Sequence, residues 1–336
     1  MEVVDLIGEP LTDAFARRVD YLRISVTDKC NLRCIYCMPE AGLPWLSREQ
    51  VLSFEEIARC VRAFAALGVR KLRLSGGEPL VRRDLHLLVA MLREIDGIED
   101  IALSTNALLL QEQLPALMAA GLNRVNISLD TLREERFIEL ARRPGLNTVL
   151  AAIDAAIEAG ATPVKLNCVI MRGRNDDELA AFAELSRSRP VAVRFIELMP
   201  VQDNLDIAAD AYISAAEVLE RIGTIDELFP VAGPAGNGPA RYFAFADSLG
   251  TIGVISPLSH DYCERCNRVR LTADGRLRLC LFGDNHIDLR TLLREEEDDA
   301  KLRATIAGSM QVKPERHHLQ IGEAASQMRA FSEIGG

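Results

Sequence analysis

The segment YLRISVTDKCNLRCIYC, Tyr21 to Cys37, joins an alternating apolar run to three cysteines spaced C-x3-C-x2-C. Such a run of apolar and β-branched residues is typical of a strand. Further strand-like runs follow before residue 200, and stretches with the spacing of amphipathic helices separate them. These runs are KLRLS, IALST, RVNISL, PVKLNCVI and VAVRFIE. Because strands that alternate with helices form parallel sheets, the sequence predicts an α/β fold.

The predicted sheet has fewer parallel strands than a complete (β/α) barrel, so we expect an incomplete (β/α)6 TIM-type barrel. Functional residues of such sheets lie at the C-terminal ends of the strands, where the cysteine loop and SGGEP, Ser75 to Pro79, both fall. After about residue 200, short strand-like runs separated by turns predict a small C-terminal β-rich module. We predict the barrel over residues 1–230, with residues 1–20 leading in, and the module over residues 231–336.

Composition limits the classes of function. The formal net charge of -10 argues against non-specific nucleic-acid binding, which depends on an excess of Lys and Arg. No apolar run reaches the length of a membrane span, and the acidic start MEVVDLIGEP lacks the features of a signal peptide. We therefore expect a cytoplasmic protein without nucleic-acid or membrane partners. In that reducing compartment the eight cysteines are expected to be thiols or metal ligands.

The first cysteine triplet has two interpretations. Residues at i, i+4 and i+7 could form one buried face of a helix. Asn31, Arg33 and the Met-Pro-Glu that follows the triplet favour a ligand loop instead. A closed zinc site and an electron-transfer [4Fe-4S] cluster each use four protein ligands. Cys30, Cys34 and Cys37 would therefore hold a four-iron cluster and leave one iron open.

A second triplet, Cys263, Cys266 and Cys280, lies in the C-terminal region. It also supplies three ligands, so a second cluster with an open iron is one interpretation. A zinc site completed by His260 or His286 is the other. The spacing alone leaves both open.

The chain resembles the GTP 3',8-cyclases, the radical S-adenosylmethionine (SAM) enzymes that open molybdenum cofactor biosynthesis. The motifs that carry the resemblance are RISVTDKCNLRCIYCMPE, LSGGEPLVRRD, RVNISLDT, RFIELMP, CERCNRVRLTADGRLRLCLF and the terminal Gly-Gly. The likeness runs from about residue 10 to the last residue. Ala107 stands where glycine is common in the family, and Asn267 stands where threonine is common. Since neither is a charged or cluster-binding group, we expect tuning of the activity rather than its loss.

The resemblance implies two [4Fe-4S] clusters and SAM as cofactors, and GTP as substrate. It implies that a 5'-deoxyadenosyl radical takes the hydrogen from C3' of GTP and that the C3' radical attacks C8 of the guanine. After a further reduction of the aminyl radical, the product would be 3',8-cyclo-7,8-dihydro-GTP. The open iron of the second cluster would bind the guanine base and act as a substrate anchor.

The resemblance also assigns residues to these ligands. The family's SAM contacts carry over onto Tyr36, Gly77, Ser128 and Met199. Without it, Ser128 would be an ordinary strand residue and Met199 a core residue. The expected GTP contacts are Arg23, Lys71, Arg73, Thr105, Lys165, Arg194, Arg268, Val269 and Arg270. The residues assigned to catalysis are Arg268, Arg270, Gly335 and Gly336, the two glycines as a tail that enters the active site.

The position of these cations has a physical interpretation. Most lie inside strand runs such as LRIS, KLRLS and VKLN, where a charged residue is poorly placed for a barrel core. Arginine suits a triphosphate because its guanidinium binds phosphate oxygens in bidentate geometry. As a set, these cations are expected to face a charged ligand, although any single one could be solvated or ion-paired instead.

Two other functions are alternatives to GTP cyclisation: modification of a peptide by a radical SAM enzyme, and electron transfer by a non-catalytic iron-sulfur protein. A radical SAM peptide-modifying enzyme usually carries more C-terminal cysteines than the three found here. A non-catalytic iron-sulfur electron carrier would generate no 5'-deoxyadenosine from SAM and a reductant. For the cyclase, the expected partners are a reducing protein and, downstream, cyclic pyranopterin monophosphate synthase, and the resemblance leaves room for a homodimer.

Overall fold

A mixed sheet of twelve strands organises the computed structural model, which describes residues 10–200, 205–236, 238–283, 285–296, 298–320 and Phe331. At its centre, six parallel strands follow one another in chain order, each paired with the next. They are β1 (Tyr21–Ser25), β2 (Lys71–Ser75), β3 (Asp100–Thr105), β4 (Arg124–Ser128), β5 (Val164–Ile170) and β6 (Val191–Glu197). All six lie where the sequence predicts them. The described sheet is open, which confirms an incomplete barrel.

Helices connect successive central strands, and most apolar residues of the helices join those of the strands in one core cluster. The helices are α1 (Phe54–Ala66), α2 (Leu85–Arg93), α3 (Leu110–Ala119), α4 (Glu134–Ala141), α5 (Leu146–Glu158), α6 (Leu179–Ser188), α7 (Leu205–Ala211), α8 (Ala215–Gly223), α9 (Leu289–Glu295) and α10 (Asp299–Ser309). Within the described ranges, none of them has the length and apolar character needed to cross a bilayer.

The C-terminal strands extend both edges of this sheet. They are β7 (Phe229–Val231), β8 (Arg241–Ala244), β9 (Thr251–Ile255), β10 (Arg268–Leu271), β11 (Arg276–Arg278) and β12 (His286–Asp288). On one edge β9 pairs parallel to β6, and β8 and β7 continue the sheet in antiparallel fashion. On the other edge β10 pairs parallel to β1, and β11 and β12 follow antiparallel. The C-terminal region is thus β-rich, and the domain boundary after residue 230 stays a prediction.

Side chains alternate between the two faces of the central strands, as strand geometry requires. In β2, Leu72 and Leu74 are completely buried in the core that the sheet shares with the helices. Lys71, Arg73 and Ser75 of the same strand point to the opposite face. The same alternation recurs in β1, β4, β5 and β10. One face of the sheet therefore supplies the apolar core, and the other presents polar and charged side chains.

Helix ends follow local signals in the sequence. Ser53 caps α1 with a capping box, in which its hydroxyl accepts from Glu56 N while the Glu56 carboxylate accepts from Ser53 N. Gly68, just after α1, has a φ of +87°, a left-handed conformation that glycine adopts without steric cost. Gly121 after α3 and Gly160 after α5 also have positive φ. Glycines with positive φ therefore follow three of the helices and mark where they end.

Gly250 provides a test of the packing at the start of β9. A Cβ atom there would overlap Val191 O and lie 2.7 Å from Arg189 O. Since both neighbours are backbone atoms at the start of β6, we expect Gly250→Ala to lower the free energy of unfolding by about 1–3 kcal/mol, as measured by urea unfolding. The matched control is Gly223→Ala in α8, where a Cβ atom would meet nothing within 4 Å. Equal losses in the two variants would contradict this account.

Candidate active site

A cavity opens on the polar face of the sheet, at the C-terminal ends of the central strands. The first cysteine loop, the SGGEP turn and residues of β9 and β10 contribute to its wall. The predicted site residues that line it are Arg23, Cys30, Cys34, Tyr36, Cys37, Arg73, Gly77, Thr105, Ser128, Arg194, Met199, Arg268 and Arg270. The structure thus brings the first triplet, the four residues predicted to contact SAM and most of the residues predicted to contact GTP around one space.

The first cysteine loop and the SGGEP turn form one unit through their backbones. Gly77 N donates to Thr27 O at 2.8 Å, and Glu78 N donates to Lys29 O at 2.8 Å. A Cβ atom on Gly77 would overlap Lys29 O and lie 2.5 Å from Asp28 O. Glycine is required here because any side chain would push the cysteine loop away from the turn.

Glu78 ties the turn to the end of β3. Its almost completely buried carboxylate accepts from Thr105 Oγ1 at 2.7 Å, from Asn106 N at 2.7 Å and from Leu80 N at 3.0 Å. Asn106 Nδ2 in turn donates to Asn31 Oδ1 in the cysteine loop at 2.7 Å. Burial raises the pKa of Glu78 to about 7, against the effect of these hydrogen bonds, which favour the charged form. Thr105, predicted to contact GTP, therefore also serves to hold Glu78.

A second buried carboxylate, Asp130, holds the other side of the cysteine loop. It lies just beyond β4 and accepts from Tyr36 Oη at 2.8 Å and from Val169 N at 2.8 Å. Burial raises the pKa of Asp130 to about 6. This residue was not predicted from the sequence. The available signal was an acidic residue directly after a strand, on the rim where functional residues are expected.

The first triplet lies in an irregular loop. Residues 30–37 form bends and turns, so the alternative of a buried helical face is wrong. Burial raises the pKa of the Cys30 thiol to about 11 and that of Cys34 well above its ordinary value. Iron binds the thiolate, so these cysteines would release protons when they bind it.

Four arginines of the cavity wall have no ion-pair partner among the residues that the structure describes. They are Arg73, Arg194, Arg268 and Arg270. Each side chain is buried, and in the described part of the chain none forms an ion pair with a carboxylate. The Nε atom of each is buried without a hydrogen-bond partner among the same residues. Because a buried cation is costly without an anion nearby, this wall is suited to an anionic ligand.

Arg23 and Lys165 add to the positive charge. The register of β1 places Arg23 between Arg73 of β2 and Arg270 of β10. Burial, together with these two neighbours, holds the pKa of Arg23 well below its ordinary value. Burial, with Arg194 nearby, lowers the pKa of Lys165 to about 6. A bound anion would favour the charged forms of both residues.

Three predicted GTP contacts are not among the residues that line this cavity. Lys71 forms an ion pair with Asp20, with Nζ 3.7 Å from Oδ2. Val269 is completely buried on the apolar face of β10, so its side chain points away from the cavity. Lys165 is completely buried, and its ammonium donates to Ala235 O at 2.5 Å.

The second triplet lies beside β10, next to the cavity. Cys263 and Cys266 belong to a single helical turn before β10, and Cys280 follows β11. Residues adjacent to Cys263 and Cys280 line the cavity. Burial raises the pKa of Cys266, but the positive charges of Lys313 and Arg268 outweigh it and leave this pKa lowered. The triplet therefore lies in a positively charged setting.

His286 does not support a zinc site at the second triplet. Its Nε2 lies 3.0 Å from Arg276 Nη1 in β11, so this nitrogen contacts a guanidinium instead of the cysteines. Among the described residues, no three His, Cys, Asp or Glu side chains are close enough to hold one metal ion. A four-iron cluster makes a different demand, because its thiolates bind separate iron atoms and do not converge on one point.

The two departures from the family pattern have local structural explanations. Ala107 is completely buried with a φ of +65°, a conformation that glycine adopts at lower steric cost. Asn267 Nδ2 donates to Asp20 Oδ1 at 2.6 Å, and the backbone carbonyl of Asn267 accepts from Tyr21 N at 3.2 Å. Ala107 thus keeps a glycine-type turn under some strain, and Asn267 joins the start of β10 to the start of β1.

The predicted tail residues Gly335 and Gly336 lie outside the described residues. Phe331, four positions before Gly335, is 7% exposed and lines the cavity. It packs against Cys37 of the first triplet, against Met199 and against the segment after Cys280. Phe331 was not predicted as a site residue, because an aromatic residue near a chain end carries no sequence pattern that separates it from a frayed terminus.

The residues present fit the cofactors that the family resemblance implies. Cys30, Cys34 and Cys37 reach the same cavity as the glycine turn, so iron-bound thiolates would lie beside open space. Buried guanidinium groups without acids supply donors for anionic groups on a ligand. A cluster with one open iron and a ligand that carries carboxylate or phosphate groups are both compatible with this donor set.

Two family profiles match the chain. That of the Radical SAM superfamily matches residues 24–186, and that described as Molybdenum Cofactor Synthesis C matches residues 191–319. The first contains the first cysteine triplet and the SGGEP turn, and the second contains the second triplet.

Solved structures share the fold. SuiB from Streptococcus suis, bound to S-adenosylmethionine, aligns with a TM-score of 0.60 at 14% identity and covers 88% of this chain and 68% of that chain. Methylornithine synthase (PylB) aligns with a TM-score of 0.50 at 20% identity over 64% of this chain and 66% of that chain. At these identities the likeness concerns the fold alone.

Curated relatives are much more similar in sequence. The GTP 3',8-cyclase of Pelotomaculum thermopropionicum is 49% identical over 327 residues, which is 97% of this chain and 100% of the relative. The GTP 3',8-cyclase of Moorella thermoacetica is 46% identical over 326 residues, with the same coverage. The chain therefore belongs to the GTP 3',8-cyclase family, within the radical SAM superfamily.

Proposed function

We propose that this chain is a lyase that converts GTP to 3',8-cyclo-7,8-dihydro-GTP, the first step of molybdenum cofactor biosynthesis. The observation that carries the proposal is the set of buried arginines without acids, which faces the same cavity as the first cysteine triplet. A nucleotide bound by these arginines would lie next to the source of a radical. The relatives that bear the cyclase name over their full length support GTP as the nucleotide.

Cys30, Cys34 and Cys37 would hold the first [4Fe-4S] cluster, with SAM beside it. When bound, these cofactors would supply a 5'-deoxyadenosyl radical for removal of the hydrogen from C3' of GTP. Bonding of C3' to C8 of the guanine would leave an aminyl radical, which one electron from the reducing partner and one proton would convert to the 7,8-dihydro product. The chain's own contribution is to orient the reactants and exclude water. Glu78 and Asp130 fix the cysteine loop from two sides, which sets the position of the radical source relative to the substrate.

The proposed SAM contacts are Tyr36, Gly77, Ser128 and Met199. All four line the cavity. Tyr36 is held in place by Asp130, and Gly77 lies against the backbone of the cysteine loop. SAM would thus bind between the loop and the ends of β2 and β4.

The triphosphate of GTP would bind to the positively charged wall. The direct contacts that we propose are Arg23, Arg73, Arg194, Arg268 and Arg270, and we retain Lys165 as a buried cation that supports them. The other predicted residues would act less directly: Lys71 through its place on the same strand face as Arg73, Thr105 through Glu78, and Val269 through its backbone. Arg268 and Arg270 would orient the reacting nucleotide, since their strand begins just after Cys266 of the second triplet.

Cys263, Cys266 and Cys280 would hold a second [4Fe-4S] cluster whose open iron binds the guanine base. The position of the triplet supports this role, because β10 carries Arg268 and Arg270 directly after Cys266. Base and phosphates would then be held by neighbouring parts of one segment. The second cluster would be a substrate anchor rather than a redox relay.

Phe331, which lies in the cavity wall, supports a role for the C-terminal tail. A chain extends by at most about 3.6 Å per residue, so the five residues that follow can reach well into the cavity. Gly335 and Gly336 would enter the active site, where glycine allows the backbone to approach a ligand closely.

The proposed partners are a reducing protein that supplies electrons and, downstream, cyclic pyranopterin monophosphate synthase, which would consume the product. We propose a cytoplasmic location, which is compatible with eight cysteines that form no disulfide. The family resemblance also supports a homodimer, which we propose as the assembly.

The function is tested by anaerobic reconstitution with iron and sulfide, then reaction with SAM, dithionite and GTP. We expect about eight irons per chain as two four-iron clusters, and GTP-dependent formation of 5'-deoxyadenosine and cyclised product. Replacing Cys263, Cys266 and Cys280 together by alanine should remove about half of the iron, retain cleavage of SAM and abolish cyclisation. The control is Cys60→Ala, which removes a buried thiol outside both triplets.

Specific outcomes would contradict this assignment. A single cluster in the unaltered chain, or equal reaction with ATP and GTP, would refute the substrate assignment. Absence of 5'-deoxyadenosine would favour the electron carrier. Modification of a peptide instead of GTP would favour the peptide-modifying enzyme.

Arg194 tests the anionic ligand. Arg194→Met should weaken GTP binding by about 10- to 100-fold, because a hydrogen bond to a charged group is worth about 1.5–3 kcal/mol. The ligand-free chain should lose little stability, since removal of a cation from among like charges offsets the lost hydrogen bond to Asn126. Calorimetric titration and thermal unfolding measure the two effects. Arg62→Met, on the exposed surface of α1, is the control, and equal GTP affinity in both variants would refute the role of Arg194.

Phe331 tests the tail. Phe331→Ala should slow cyclisation by about 10-fold or more, because a small displacement of a positioned group costs rate steeply, while the iron content stays unchanged. Phe229→Ala, at an exposed position of β7, is the matched control. A chain that ends at Ile334 should not cyclise GTP at all. Normal product formation by that shortened chain, measured under the same conditions, would exclude a function for the two glycines.

A further inference from the structure

Lys313 lies at the second cysteine triplet, in the segment after α10. Its side chain is 2% exposed, and three acceptors surround its Nζ: Leu279 O at 2.5 Å, Arg268 O at 3.2 Å and Cys266 Sγ at 3.5 Å. A lysine ammonium has three N–H donors and no acceptor. Each donor therefore has a partner, and the charge is held at a fixed place beside the Cys266 sulfur.

The charge of Lys313 has no compensating acid in the described part of the chain, since no carboxylate there forms an ion pair with it. Burial of an ammonium without an anion costs several kcal/mol, even when its hydrogen bonds are made. Carbonyl groups satisfy the donors but contribute no net charge. The groups beside it that can become negative are the cysteines of the second triplet, with Cys266 in direct contact.

We propose that Lys313 is the buried counter-cation of the second iron-sulfur cluster: it donates to the Cys266 thiolate and stabilises the negative charge of the cluster. The inference rests on the second cluster of the proposed function. Positive charge and hydrogen bonds at cluster sulfur favour the reduced state, which is the more negative one. Lys313 therefore raises the reduction potential of this cluster. Its Nζ also donates to the backbone carbonyl of Arg268, so one side chain contacts both the second triplet and the positively charged wall of the cavity.

Arg17 provides a comparison within the same structure. Its Nη1 donates to Cys263 O at 2.8 Å and to Glu315 O at 2.6 Å, and its Nη2 donates to Pro314 O at 2.7 Å. Its Nε lies 2.6 Å from Asp13 Oδ2, so its charge is balanced. Arg17 thus holds the same cysteine segment by geometry, without adding net charge to it.

The test measures the midpoint potential of the second cluster alone. The full chain carries alanine at Cys30, Cys34 and Cys37, so that only the second cluster assembles, and paramagnetic resonance follows its reduction. Lys313→Gln keeps hydrogen-bond donors without the charge, Lys313→Met removes both, and Lys313→Arg keeps the charge. We expect the equilibrium constant for reduction of the cluster to fall about tenfold in the Gln and Met variants. This lowers the midpoint potential by about 59 mV for one electron. The Arg variant should shift less.

Arg17→Lys is the control, because it keeps the charge beside Asp13 but loses the forked contacts to the carbonyls. It should lower the iron content and leave the potential of the assembled cluster unchanged. A potential in Lys313→Gln equal to that of the parent would overturn the inference. If neither neutral variant assembles the cluster and Lys313→Arg does, the positive charge is required, as proposed.

Two other outcomes are also decisive. Loss of the cluster in all three Lys313 variants would mean that the shape of the lysine is required, which refutes a role of its charge alone. Failure of the parent chain, with Lys313 intact, would overturn the second cluster of the proposed function and this inference with it. These outcomes are distinguishable, because the parent chain loses its cluster only in the second case.

Discussion

The alternation of side chains along parallel strands is the constraint on which both the core and the site depend. Every second residue of the central strands is apolar and packs with the helices, as Leu72 and Leu74 do in β2. Most of the residues between them carry charge or hydrogen-bonding groups, and several of these line the cavity, as Arg73 does. A shift of one residue in register would exchange the two sets. It would bury guanidinium groups in the core and expose apolar groups to the ligand.

This arrangement stores unfavourable electrostatic energy in the ligand-free chain. Arg23, Arg73 and Arg270 lie side by side on adjacent strands, and the apolar core behind them leaves little solvent to screen their charges. Burial, together with the repulsion of neighbouring cations, lowers the pKa values of Arg23 and Lys165. A bound anion relieves it, and a ligand that binds only the folded chain stabilises that chain by mass action. Ligand affinity and ligand-free stability are therefore opposed in this wall.

The parts of the molecule that were predictable from the sequence are those with local signals. The six central strands, the loop character expected for Cys30 to Cys37 and the SGGEP turn depend on neighbours in the chain, and each lies as predicted. Lys313 and Asp130 were not predicted, since their roles arise from contacts across long separations, 47 residues between Lys313 and Cys266. Val269 shows the limit of a resemblance, because strand alternation alone predicts that a residue between two cavity-facing arginines points the other way.

The C-terminal strands explain why an incomplete barrel suffices for this site. The edge strand β1 pairs with β10, which places Arg23 directly beside Arg270, so the positive wall continues across the junction with the C-terminal region. The second triplet flanks β10 and β11. Arg17, near the start of the chain, and Lys313, near its end, donate hydrogen bonds to the backbone of the loops that carry these cysteines. A complete barrel would close this edge with its own strands. The open edge is thus what allows the region that carries the second triplet to form part of the cavity wall.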